Sequence, residues 1–239
     1  MIIIPDVHGR SFWRKAVNDN LGKEHILFLG DYLDPYEYEG ITPTEAYKVF
    51  HEIIGIKKQH PEDITLLLGN HDLHYLNAEM EGGRLEYKRR EQIINDITDH
   101  AELFRIAETA SIGGKNYLFT HAGVKKGWLQ VYQDVLGNPN PDEIADRLNT
   151  FWLDSSKRHQ LLNMMADIPY IRWGNSPYGS PVWNDVRDMV DGQQEIPGFM
   201  QVFGHTQQEF KPIIGDFYMC LDVRCAFRLT DNTPIQTLT

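Results

Sequence analysis

The sequence predicts a mixed α/β fold, a sheet core flanked by helices, on three observations. Short apolar runs recur along the chain, they alternate with longer stretches of helical period, and Gly, Pro, Asn and Asp punctuate the joints. The runs are Ile2 to Ile4, Ile26 to Leu29, Ile64 to Leu68, Tyr117 to Phe119, Val202 to Phe203 and Phe217 to Leu221. Their length suits strands rather than helices.

Among the helical stretches, Pro43 to about Lys58 carries the clearest start. Thr42 can cap it, Pro43 suits its first turn, and Glu45 can close a capping box. Asn140, Pro141 and Glu143 repeat that signal for a helix from Asp142 to about Trp152. Gly82 to Ala101 reads as a surface helix, with mixed charges on one side and Ile93, Ile94 and Ile97 on the other. Residues 124–189 are helical and loop-rich, and end near Gly174-Asn175-Ser176-Pro177-Tyr178-Gly179-Ser180-Pro181. This stretch is expected to be a helical insertion over a sheet edge within a single domain spanning 1–239, and Trp173 and Trp183 are expected to pack into its core.

Composition narrows the class. A chain of 239 residues with 41% hydrophobic content can build a substantial core. The formal charge of −11 repels polyanions, and the longest basic cluster is Lys88-Arg89-Arg90, so no extended nucleic-acid binding is expected. Cys220 and Cys225 stand in or beside an apolar stretch and are expected to be reduced, buried fillers. No run reaches the ~18 apolar residues of a membrane span or the ~7 to 15 of a signal peptide, so a soluble, cytoplasmic protein without membrane association is expected.

Five times an apolar run ends and a metal-capable side chain follows at once. Asp6 and His8 follow Ile2 to Pro5, Asp31 follows Ile26 to Gly30, and Asn70 follows Leu66 to Gly69. His121 follows Tyr117 to Thr120, and His205 follows Gln201 to Gly204. Loops leaving the strand ends of a helix-covered sheet converge, so residues distant in sequence can meet. Gly before Asp31, Asn70 and His205 permits unusual backbone angles and close approach to an ion. Two carboxylates, three imidazoles and one amide exceed what one tetrahedral zinc requires. They suit two divalent ions sharing a carboxylate, with Mn²⁺ the first choice in vitro and Fe or Zn²⁺ as the others. A lone His at a strand end has a bland structural explanation; five coincidences argue for a site.

Asp6-Val7-His8-Gly9, Gly30-Asp31-Tyr32-Leu33-Asp34, Gly69-Asn70-His71-Asp72, His121 and Gly204-His205-Thr206 resemble, in order and spacing, the motif series of the calcineurin-like metallophosphoesterases. The resemblance covers most of the chain. It implies two packed mixed β-sheets flanked by helices, a four-layer α-β-β-α arrangement, and a two-metal centre that hydrolyses phosphoesters. It further implies that Asp6 and His8 hold the first metal, that Asp31 bridges, and that Asn70, His121 and His205 hold the second. Many relatives have a second His two positions after the last; here Gln207 stands there. That form, together with Leu221 to Phe227, is similar to the branch of Ser/Thr protein phosphatases and diadenosine tetraphosphatases.

Two dications close together bring the pKa of a shared water towards neutrality and neutralise charge on the phosphoryl oxygens. The leaving alkoxide then needs a proton. His71, beside Asn70 yet not required as a ligand, is placed to supply it as general acid. Asp34 can accept from one of its ring nitrogens and favour the protonated form, or else merely stabilise its own turn.

The chain departs from the resembling branch after Asp34. That branch usually continues with an Arg that grips phosphate, and here Pro35-Tyr36 follow, then Glu37-Tyr38-Glu39. Arg10, Arg187 and Arg224 are candidate replacements, and Tyr36 could stack on or hydrogen-bond the substrate. The expected activity is a phosphomonoesterase acting on a phosphoprotein or small metabolite. A nucleotide or dinucleoside polyphosphate hydrolase is the alternative, and a non-catalytic binding member of the fold a remote one.

Overall fold

In the computed structural model, which describes residues 1–80, 84–190, 194–231 and 235–238, the chain forms two compact units, Met1–Arg105 with Arg224–Thr239, and Ile106–Val223.

The first unit is built on β1 (Ile2–Ile4), β2 (Ile26–Phe28), β3 (Ile64–Leu67), β4 (Phe104–Arg105), β10 (Ala226–Arg228) and β11 (Gln236–Leu238). These form one mixed sheet in the order β11, β10, β1, β2, β3, β4. The strands β1 to β4 run parallel, with Ile4 opposite Phe28 and Phe28 opposite Leu66. Every residue of β1, β2 and β3 is buried, which is why they read as apolar runs interrupted only by Thr65. The register aligns their C-terminal ends, so the chain leaves for Asp6, Asp31 and Asn70 from one end of the sheet.

Among the described residues four α-helices accompany this sheet: α1 (Trp13–Asn20), α2 (Pro43–Gln59), the single turn α3 (Asn70–Leu73) and α4 (Arg90–Asp99). The capping box foreseen at Thr42 and Glu45 is formed, and Ala46, Val49, Phe50, Ile53 and Ile54 make the buried face of α2. That i, i+3, i+4, i+7, i+8 spacing is the stripe a helix presents to a core, each large side chain contributing about 1.5–3 kcal/mol of burial. The helix expected over Gly82 to Ala101 is shorter. Gly82 and Gly83 lie outside the described residues, and residues 84–89 form a turn and a 3₁₀ segment, Tyr87–Arg89. The Glu86 side chain accepts from the Lys88 amide, and the Glu86 amide donates to the Tyr75 hydroxyl, so local polar bonds outcompete the helical ladder there.

The second unit carries β5 (Ala107–Ile112), β6 (Lys115–Thr120), β7 (Phe199–Phe203), β8 (Ile213–Ile214) and β9 (Tyr218–Cys220), ordered β5, β6, β7, β9, β8. The strand β5 was not anticipated, because Ala107-Glu108-Thr109-Ala110-Ser111-Ile112 is neither apolar nor cleanly alternating. A signal was present, however. Gly113 and Gly114 take φ of 58° and 77°, the two-residue hairpin turn that a Gly-Gly pair favours. The strands β6, β7 and β9 are parallel, so this sheet too is mixed.

Residues 124–189 are helical and loop-rich, as expected, with α5 (Lys126–Val131), α6 (Gln133–Leu136), α7 (Ile144–Leu153) and α8 (Ser155–Met165). The capping box of Asn140 and Glu143 forms around a 3₁₀ turn just before α7. Buried Asn149 anchors α7 to the start of β5, its Oδ1 accepting from the Ile106 amide and its Nδ2 donating to the Ala107 carbonyl, both at 2.8 Å. Trp173 corrects an expectation. It is 98% exposed, because it ends the 3₁₀ segment Tyr170–Arg172 in a left-handed conformation (φ 65°) that turns it outward. Cys220 is buried and Cys225 only half-buried, and neither forms a disulfide. No helix among the described residues is long and apolar enough to cross a membrane.

Candidate active site

In the first unit the loops after β2 and β3 touch. A Cβ on Gly30, which sits at φ 107°, would lie 2.5 Å from the Gly69 nitrogen, so Gly30 is needed for backbone contact rather than for approach to an ion alone, whereas Gly69 sits in ordinary extended backbone at φ −99°. Asp72 joins the same loops. Its Oδ2 accepts from the amides of Asp31 and Gly69 at 2.8 Å each, and its Oδ1 from the amide of Tyr32 at 3.0 Å. The amide of His71 in turn donates to Asp31 Oδ1 at 2.8 Å. Asn70 is buried in the first turn of α3.

Asp6, His8 and Asp31, all buried, each offer a ligand atom within 4.8 Å of the others. His8 Nδ1 donates to the Leu33 carbonyl at 2.8 Å, so its Nε2 keeps the lone pair, 3.4 Å from Asp31 Oδ2. Burial, opposed by the Asp31 charge, pushes the His8 pKa down to about 3 and keeps the ring neutral. Two buried carboxylates and a neutral imidazole suit a divalent cation, which would offset the cost of burying both charges. The backbone bears the mark of that placement: His8, Asp31 and Asp34 take φ of 45°, 52° and 55°, a region costly for side-chain-bearing residues.

Beside this cluster the His8 and His71 rings meet edge to face, 5.2 Å between centroids. His71 Nδ1 lies 2.9 Å from Asp34 Oδ2, His74 Nε2 lies 2.6 Å from the same oxygen, and the Tyr75 hydroxyl donates to Oδ1. Burial alone would raise the Asp34 pKa, but hydrogen bonds and charge from His71 and His74 outweigh it and hold the carboxyl below its usual range. Burial and the neighbouring Asp34 push the Tyr75 hydroxyl far up, so it remains a donor.

In the second unit His121 follows β6 directly, and His205 follows β7 after Gly204. Because Phe119 pairs with Val202 in parallel register, the two histidines emerge side by side. The Gly204 amide donates to the His121 carbonyl at 2.8 Å, His205 takes φ 63°, and His121 Nε2 lies 3.1 Å from His205 Nδ1. Trp183 contacts the His205 ring edge-on at 5.6 Å.

The sequence matches the calcineurin-like phosphoesterase family over residues 1–209. The chain belongs to that family. Calcineurin-like phosphoesterases hydrolyse phosphoesters with divalent metal ions, and this chain's buried Asp and His groups fit that requirement. Among solved structures, the phosphoesterase resembles a cold-active protein tyrosine phosphatase at 16% identity and a TM-score of 0.55, the match covering 100% of this chain and 78% of that one. A cold-active protein-tyrosine phosphatase of a psychrophilic Shewanella species gives 15%, 0.54, and coverage of 100% and 80%. A protein serine/threonine phosphatase from Saccharomyces cerevisiae with similarity to human phosphatase PP5 gives 15%, 0.53, and 99% and 78%. At such identities these likenesses concern the fold.

The three arginines considered for phosphate binding in the phosphoesterase have carboxylate partners. Buried Arg10 forks onto Glu39 through Nε at 2.8 Å and Nη2 at 3.1 Å. Exposed Arg187 forks onto buried Asp185, and Arg224 reaches Glu39 at 3.3 Å and the Tyr38 hydroxyl at 3.0 Å. Tyr36 stands against His8, with ring centroids 5.1 Å apart. The sequence motifs give Asp72 no role, and His74, Tyr75 and Arg84 are not among the residues they single out. Asp72 was findable, since a carboxylate three residues after a helix N-cap bonds back to the cap amide; Tyr75 and Arg84 had no local signature.

Proposed function

We propose that this phosphoesterase cleaves phosphomonoesters at a two-metal centre, with His71 as general acid oriented by Asp34. The observation that carries the reading is the 2.9 Å contact of His71 Nδ1 with Asp34 Oδ2, made beside the Asp6, His8 and Asp31 cluster. On the family pattern, Asp6, His8 and Asp31 serve one ion and Asp31, Asn70, His121 and His205 the other, with Mn²⁺ the ion expected to support activity in vitro. The ions, when bound, neutralise phosphoryl charge and activate water for in-line attack.

The chain's own residues do the rest. Asp34 accepts from Nδ1–H, which leaves Nε2 as the nitrogen that faces the leaving group. A proton on Nε2 passes to the ester oxygen as its bond to phosphorus breaks, so an alcohol departs rather than an alkoxide. His74 and Tyr75, bound to the same carboxylate, fix the orientation of Asp34.

A second reading is hydrolysis of a nucleotide or dinucleoside polyphosphate, favoured by one observation. Tyr38 is 68% exposed and lies 5.3 Å from Tyr36, an aromatic pair on which a base could stack. One panel separates the readings: metal analysis, followed by Mn²⁺-supported hydrolysis of an aryl phosphomonoester, a diester, a phosphopeptide and a diadenosine polyphosphate. Turnover of the monoester and phosphopeptide supports the first, and turnover of the diadenosine compound alone supports the second. A protein that binds no transition metal and cleaves none of the four would refute both.

A further inference from the structure

The turn after Asp34 receives an arginine from a different part of the first unit. The guanidinium carbon of half-buried Arg84 lies 3.7 Å from the centre of the Tyr36 ring, and its Nη1 donates to the Asp34 carbonyl at 2.6 Å. Its Nη2 lies 2.8 Å from His71 Nε2. Since a guanidinium can only donate, Nε2 accepts there and carries no proton in this arrangement; His71 takes up the proton it delivers as acid once the guanidinium has turned from Nε2 onto the phosphate. Arg84 thus touches the nitrogen that the proposed acid turns towards the leaving group.

Arg84 forms no ion pair among the described residues, whereas Arg10, Arg187 and Arg224 each face a carboxylate. An aromatic face and a carbonyl hold the plane of this guanidinium without cancelling its charge. We propose that Arg84 binds the non-bridging oxygens of the substrate phosphoryl group, with the Tyr36 ring as the platform that holds it; this rests on the phosphomonoesterase reading above. The contact with His71 uses one N–H on a neutral acceptor. A phosphate dianion offers two parallel, charge-assisted bonds to the same fork and therefore competes successfully for it. The geometry places that fork beside the leaving-group nitrogen, where the oxygens of the same phosphorus must lie.

The test compares the metal-loaded wild type with Arg84→Ala and Arg84→Lys, using an aryl phosphomonoester as substrate and inorganic phosphate as ligand. Arg84→Ala is expected to raise KM and the inhibition constant for inorganic phosphate together, by about 10- to 100-fold, with a smaller change in kcat. Arg84→Lys should recover only part of the loss, and added guanidinium should restore turnover to Arg84→Ala, a rescue that a merely structural role would not give. The rise in Tm that inorganic phosphate causes in the wild type should shrink in both variants. Unchanged KM and phosphate inhibition in Arg84→Ala would overturn the proposal, as would a full phosphate-induced Tm shift in both variants. If Arg84→Ala does not fold, Arg84→Lys with wild-type phosphate affinity overturns it as well. Should the wild type cleave no monoester yet show a Tm shift that Arg84→Lys loses, the phosphomonoesterase reading fails and the phosphate site stands.

Discussion

Asp72 Oδ2 accepts the backbone amide of Asp31 at 2.8 Å, so a carboxylate from the neighbouring loop sets the height at which the bridging candidate stands. Asp72→Ala strands the three buried amides of Asp31, Tyr32 and Gly69. A loss of about 3 to 6 kcal/mol in urea unfolding is expected, with weakened metal binding; Asp72→Asn, which keeps one acceptor oxygen, should lose less. Wild-type stability in Asp72→Ala would contradict this role.

Gly30 and Gly22 make a matched pair. Both have positive φ, but a Cβ at Gly30 meets the Gly69 backbone at 2.5 Å, whereas one at Gly22 meets nothing within 4 Å. Gly22→Ala should cost about 1 kcal/mol through backbone strain alone. Gly30→Ala should cost about 2 to 4 kcal/mol and lower metal affinity, because the loops bearing Asp31 and Asn70 are forced apart. Calorimetry and metal titration on both variants measure the difference, and equal costs would argue against the close approach.

His71→Asn should retain its metal and lose kcat by about 10²-fold or more, least for aryl phosphates, whose leaving groups need no proton. Asp34→Asn should follow the same leaving-group trend with a smaller loss. Metal depletion in His71→Asn would instead make that residue a ligand.

For the metal-free protein the pH dependence follows from His8. Its ordinary value of 6.5 falls to about 3 in the fold, so between these values the unfolded chain binds a proton that the folded chain refuses. Stability therefore rises with pH across that window and is lost as pH falls from about 6.5 towards 3. Asp34 acts lower down: its folded value is depressed, so its contribution is present above the ordinary carboxylate value of about 4 and is lost as pH falls through the lower one. Chelator-treated wild type should show a urea midpoint that declines from pH 7 to 5, and His8→Asn a flatter one. Parallel profiles would count against a buried neutral His8.

Most of the candidate site was legible because its groups sit next to the features that place them. Asp6, Asp31, Asn70, His121 and His205 each follow an apolar run after a single Pro, Gly or Thr, and a parallel strand delivers whatever residue comes next to the end of its sheet. The strand β5 was less legible, since its stability comes from pairing with β6 rather than from its own composition. The exposure of Trp173 was misjudged because a bulky aromatic carries a strong prior for the interior, and a single left-handed residue reverses it.

The family, and the types and order of the candidate ligands, are legible in the chain alone, because each motif is a local event of a strand, a turn and one polar residue. The tertiary structure alone decided what surrounds Asp34: His74 and Tyr75 on its carboxylate, and Arg84 on its carbonyl, laid over Tyr36. Arg84 is 50 residues from Asp34, and a contact over that distance depends on the path of all the intervening chain. Spacing within a motif is set by bond geometry, whereas the approach of distant side chains is set by packing, and only the folded chain expresses it.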